Sequence, residues 1–75
     1  MMPKRKIVFA ELNDETCFEL NTVVNFAEKI SITGITLVTD DLGARDWLEV
    51  TYSDGDIVLY NADNINYMKV IDVQI

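Results

Sequence analysis

The chain has no histidine, one cysteine, one proline and three glycines among its 75 residues, and only six basic side chains against thirteen carboxylates. Each shortage excludes something. Without histidine, the commonest general base and the commonest metal ligand are both missing. Cys17 has no second cysteine to bond, so neither an intrachain disulfide nor a thiolate zinc cage can form. It sits beside Phe18 with no basic neighbour in sequence to lower its pKa, and reads as a small buried core residue. Gly34, Gly43 and Gly55 are too scattered for a phosphate-cradling glycine loop. Paired carboxylates could serve glycoside chemistry only across a cleft, for which so short a chain has little room. The expectation is a protein that is not an enzyme and carries no cofactor.

Long apolar runs are missing too. The basic residues Lys4, Arg5 and Lys6 imitate the start of a secretory signal, but the apolar run behind them covers only residues 7–10. A signal core needs roughly 7–15 residues and a membrane helix ~20. A soluble, cytoplasmic protein is expected. The size fits one domain, residues 1–75, burying only about 60% of the surface its unfolded chain exposes. With no disulfide staple, stability must come from a well-packed core or from self-association, and a homodimer is left open.

What the chain does have is charge of one sign, laid out unevenly. Three of the six basic residues are Lys4, Arg5 and Lys6, and from Glu11 onward only Lys29, Arg45 and Lys69 oppose all thirteen carboxylates. That stretch carries a formal charge of −10. Such a field repels nucleic acid and attracts a basic partner. The basic triplet itself reads as protection of an edge strand against unwanted sheet pairing.

Hydrophobic periodicity points to strands. Leu48, Val50 and Tyr52 alternate with Glu49 and Thr51, residues 53–56 make a glycine turn, and 57–60 return as a second strand. Residues 61–64 form a polar corner suited to Asx turns, and 67–73 a third strand. Residues 8–21 match 48–61 at a constant shift of forty, with Asp14 over Asp54 and Asn21 over Asn61. With one residue inserted, 25–32 then match 66–73. The first copy is expected to give strands at 5–12, 16–21 and 26–32, then a further strand or a continuation past a bulge at 35–39. The fold expected is all-β: a small antiparallel barrel or sandwich of six or seven strands with an internal two-fold repeat. Its halves would be 6–39 and 46–75, joined by an acidic loop at 40–46. The alternative is α+β, with one helix at 16–30 on a four-stranded sheet. Thr16 and Glu19 at capping-box spacing favour the helix, and the β-branched run at 22–24 opposes it.

The carboxylates are the functional signal. Asp40, Asp41, Asp46, Glu49, Asp54, Asp56 and Asp63 fall within 24 residues, opposed only by Arg45. One reading is an ordinary solvated surface that keeps a small β protein soluble. The sharper one is that spaced carboxylates imitate a phosphate backbone and occupy the positive groove of a nuclease or DNA-binding protein. Trp47 directly follows the acidic loop, so it is either a core filler or an aromatic anchor ringed by negative charge. The partner-binding residues expected are therefore these seven carboxylates and Trp47. Small acidic inhibitors encoded by phages and mobile elements, anti-restriction and anti-CRISPR proteins among them, resemble this chain in type. No motif ties it to one such family, and the resemblance would place the protein in the host cytoplasm. Two other functions are carried forward. One is a self-associating assembly subunit with edges at 5–12 and 66–74. The other is a calcium module built from Asp54, Asp56, Asn61, Asp63 and Asn64, whose hard oxygens suit that ion.

Overall fold

Residues 4–40, 43 and 45–73 are described by the computed structural model. The protein is all-β, with two antiparallel sheets and no α-helix among these residues. Its strands are β1 (Lys4–Leu12), β2 (Cys17–Glu19), β3 (Val23–Asn25), β4 (Ile30–Thr39), β5 (Asp46–Tyr52), β6 (Ile57–Asn61) and β7 (Ile65–Val73). A 3-10 turn (Ala62–Asn64) lies between the last two. One sheet has the order β2-β1-β7 and the other β3-β4-β5-β6. Among the described residues no helix is long and apolar enough to cross a membrane.

The alternative helix at 16–30 is absent. Thr16 does not cap one; its N–H donates to Asp14 Oδ1 at 3.0 Å and closes a hairpin. Asn21 and Lys29 take left-handed backbone conformations (φ 68° and 58°), which no helix continues through. The strand expected at 26–32 is also corrected, because residues 26–29 form the turn between β3 and β4. Of the two expectations for 35–39, the continuation past a bulge is the one found. Pairing shifts between Ile32 and Gly34, leaving Thr33 as a bulge inside one ten-residue strand.

The two hairpins are built alike. β1 pairs β2 with Ala10 opposite Phe18, and β5 pairs β6 with Val50 opposite Val58, the same register forty residues on. Their turns share every backbone bond. Leu12 N–H donates to Thr16 C=O and Glu15 N–H to Leu12 C=O, as Tyr52 does to Asp56 and Gly55 to Tyr52. Asp14 and Asp54 each accept the N–H two residues on. The third strands differ from the alignment read in sequence. Ile65 lies opposite Leu12 as Ile32 lies opposite Tyr52, and Asn13 N–H reaches Asn64 C=O as Ser53 N–H reaches Ser31 C=O. Residues 66–73 therefore correspond to 33–40, a shift of 33, and not to 25–32. The first half carries seven extra residues before its third strand, and β3 with its turn occupies them.

Each third strand pairs with the other half's hairpin: β7 with β1, and β4 with β5. Both inner strands thereby gain a second neighbour, and their inward residues supply four of the seven buried side chains. Ala10, Leu12, Phe18, Ile32, Ile35, Leu48 and Val50 are buried, with Ile7, Leu20, Tyr52, Tyr60, Ile65 and Met68 packed against them. Fully burying a side chain such as Leu48 is worth about 1.5–3 kcal/mol.

The shared turn fixes a residue in the left-handed region at its third position, where glycine is preferred. Gly55 meets that demand (φ 96°); Glu15 meets it against its own preference (φ 72°). Glu15→Gly is expected to stabilise the protein by about 1 kcal/mol and Gly55→Ala to destabilise it by about as much or more, read from urea midpoints.

Candidate functional site

The β5–β6 hairpin and its two ends carry most of the carboxylates expected at a partner surface. At one end Asp46 opens β5, and Asp63 lies in the 3-10 turn that follows β6; both line one shallow depression with Gly43, Arg45 and Ala62. Asp46 is oriented by Thr39, whose hydroxyl donates to its Oδ1 at 2.8 Å. Asp40 is tied to the same loop, its N–H bonding Arg45 C=O and its C=O accepting from Gly43. Asp41 lies outside the described residues. Trp47 is half-buried and does not belong to the core. The alternation that sends Leu48 and Val50 inward sends Trp47, Glu49 and Thr51 to the outer face of the sheet. There the Arg45 guanidinium stands 5.7 Å from the Trp47 ring centre.

Asp54 and Asp56 are not with that group. They sit in the turn at the far end of β5, whose seven residues span roughly 20 Å. Glu49 lies between the ends, opposite Leu59 of β6 and Thr36 of β4. The expected cluster is thus two acidic ends joined by a strand. The calcium set fails for the same reason. Asp54 and Asp56 stand at one end of β6, and Asn61, Asp63 and Asn64 at the other. Two of their oxygens are already used locally: Asp54 Oδ1 accepts from Asp56 N–H at 3.1 Å, and Asn61 Oδ1 accepts from Asp63 N–H at 3.0 Å. Turn chemistry accounts for Asp54 and Asn61.

The fold adds carboxylates that linear spacing did not single out. The bond from Asn13 N–H to Asn64 C=O, 2.8 Å, sets the first hairpin turn beside the 3-10 turn, bringing Asp14 and Glu15 toward the Asp63 end. Glu11 joins them through its Oε2, which accepts from Asn66 Nδ2 at 2.9 Å. The only sequence sign of this was the coincidence of Asp14 with Asp54 at a shift of forty.

Two further sequence readings change. Cys17 is exposed, not buried: Phe18 beside it takes the inward position on β2. Its thiol lies 3.6 Å from Glu11 Oε1 and 3.5 Å from Glu15 C=O. Loss of hydration, then the Glu11 hydrogen bond and the charges of Glu11 and Glu15, push it above the usual 9.0. It is a poor nucleophile. The basic triplet lies not on an edge strand but on β1, the central strand of its sheet. β2 pairs only as far back as Phe9, so Arg5 and Lys6 are bordered by β7 alone. Arg5 makes an exposed ion pair with Asp72 at 3.7 Å.

A hydrogen bond from the Thr16 side chain, then one from its backbone, hold the Asp14 carboxyl below the ordinary 3.8. A depressed folded-state pKa gives stability that is complete above the unfolded value and fades as pH falls through the folded one. Thr16→Val is expected to move the Asp14 pKa upward in a carboxyl NMR titration, shrinking the acid-side loss of stability below pH 3.8. Compared with known proteins, the chain matches no family model, no curated protein and no solved structure.

Proposed function

We propose that this protein is a non-enzymatic binding module whose acidic surface engages a basic, nucleic-acid-handling protein and competes with nucleic acid for it. The observation that carries this reading is the placing of carboxylates at both ends of the β5–β6 hairpin, around an exposed apolar strand. Asp40, Asp46 and Asp63 stand at one end, Asp54 and Asp56 at the other, and Glu49 midway. Arg45 stands at the first of these ends and lies over Trp47. The net charge of −7 supports the same direction. Spaced negative charge attracts the surfaces that bind phosphate backbones, and it does so over a range set by salt. An inhibitor of a nuclease or repressor, of the kind phages encode, is the role that fits. Titration against the native host's nucleases and repressors is expected to show binding that weakens steeply with salt and is displaced by DNA. Changing Asp46, Asp63, Asp54 and Asp56 together to Asn is expected to abolish it. Binding that ignores salt or survives those changes overturns the reading.

A second reading is favoured by one observation at the other sheet. β7 is a nine-residue edge strand with Tyr67, Val70, Ile71 and Val73 exposed, an open template for a second copy. A self-associating subunit is expected to sediment as a dimer at micromolar concentration. A strict monomer there removes this reading.

A further inference from the structure

Four strands border the two sheets: β2 and β7 on one, β3 and β6 on the other. β2 and β3 have three residues each, too few to hold an added strand. β7 is long enough, but it carries Lys69 and runs beside Arg5 and Lys6. β6 differs from all of these. Ile57 and Leu59 are 59% and 50% exposed on the outer face, and Val58 is 37% exposed on the inner one, where Tyr60 packs against the core. The strand is thus open along its edge and largely open on its outer face. Carboxylates stand at both of its ends, Asp54 and Asp56 before it and Asp63 after it, and Glu49 lies one strand inward on the face that Leu59 shares.

The backbone of β6 is available as well. Tyr52 N–H bonds Asp56 C=O, which fixes the hydrogen-bonded pairs of this ladder at 52/56, 50/58 and 48/60. The alternate residues, Ile57 and Leu59, therefore turn their N–H and C=O groups away from β5 toward the open edge. Four strong backbone groups and an apolar stripe are presented together, bracketed by negative charge.

Resting on the reading of an acidic module for a basic partner, we propose that the partner segment adds to the sheet as a strand along β6. The occupant is an extended stretch with a short apolar, β-branched centre and arginine or lysine on both sides. Its backbone pairs with Ile57 and Leu59, its apolar side chains cover Ile57, Val58 and Leu59, and its cations meet Asp54, Asp56 and Asp63. Main-chain pairing gives affinity in such strand addition, while the side chains on each face and the flanking charge give selectivity. A second copy is a poor occupant here. Antiparallel pairing of β6 with itself would bring Asp56 of one copy toward Asp63 of the other.

The test uses the full chain, observed by amide NMR, and a synthetic peptide with a Val-Ile-Val-Ile-Val centre and two arginines at each end. A twin peptide is N-methylated at alternate residues along one edge, keeping charge and side chains but removing the donors. A second twin carries glutamate in place of arginine. The arginine peptide is expected to bind and to shift the amides of Ile57 and Leu59, and N-methylation to weaken it at least tenfold. Leu59→Pro is expected to weaken it as much while the protein stays folded, because the lost N–H faces outward and proline is tolerated on an edge. Equal binding of the methylated twin overturns strand addition and leaves the acidic reading standing. Shifts confined to β7 overturn the choice of edge. Equal binding of the glutamate twin overturns this proposal and the acidic reading together. No binding of any peptide overturns strand addition, with the salt titration then judging the acidic reading by itself.

Discussion

Everything in this fold depends on an exchange of strands between its two halves. A two-stranded hairpin is marginal in water, and each hairpin here has a short outer strand: three residues in β2, five in β6. The inner strands β1 and β5 hold Ala10, Leu12, Leu48 and Val50, four of the seven buried side chains. Those residues face inward dependably only because β7 closes the far side of β1 and β4 closes the far side of β5. Two register bulges fall at equivalent places, Thr33 on β4 and Asn66 on β7, while the one at Val8 on β1 has no counterpart on β5. Neither half can complete a sheet from its own strands in this arrangement. The core is a product of the exchange.

The same exchange decides what remains open. Two sheets that do not merge leave four borders, and the halves treat equivalent borders differently. β2 and β6 occupy matching places, yet Phe18 is buried where Val58 is 37% exposed. Phe18 reaches across to the Tyr60 ring, 4.8 Å between centres, and that single contact fills the space between the two outer strands from the β2 side. β6 is left with Val58 only partly covered on its inward face and with Ile57 and Leu59 about half-exposed on its outer one. The seven residues inserted in the first half add β3 beside β4, and the turn after it holds Phe26 at 83% exposure. The two halves thus differ by those seven residues and by the Phe18–Tyr60 contact.

The all-β class and the hairpins were legible because they are written in local chemistry. Alternation at 48–52, glycine in the turn at 55 and the Asx residues at 61–64 each act over a few neighbours, and the structure places them as that chemistry requires. The long-range pairing was not legible. Segment 25–32 offers apolar residues at 26, 27, 30 and 32 and segment 33–40 at 35, 37 and 38 among β-branched threonines, so either aligns acceptably with 66–73. Only the ladders identify the partner, by setting Ile32 on Tyr52 and Ile65 on Leu12. Cys17 illustrates the finer version of the problem. A one-residue change of phase on a strand exchanges its faces, and Phe18, the larger apolar side chain, took the inward place. The acidic residues were readable as a group but not as an arrangement, because spacing along the chain does not say which turn folds back beside which corner.

That arrangement has an electrostatic consequence. At physiological salt, exposed charges separated by more than about 8 Å are largely screened from one another. The Asp46–Asp63 end and the Asp54–Asp56 end are separated by the length of β5, roughly 20 Å, well over twice that distance. The two ends therefore act as separate attractors instead of summing into one field at a point. A compact cation would be held by one end and ignore the other, gaining little from a surface of this total charge. A segment that runs along the hairpin meets both ends, and between them it meets the uncovered backbone and side chains of β6. Under the proposed strand addition, the charge distribution and the open edge call for the same geometry in a partner: extended, basic at its ends and apolar between them.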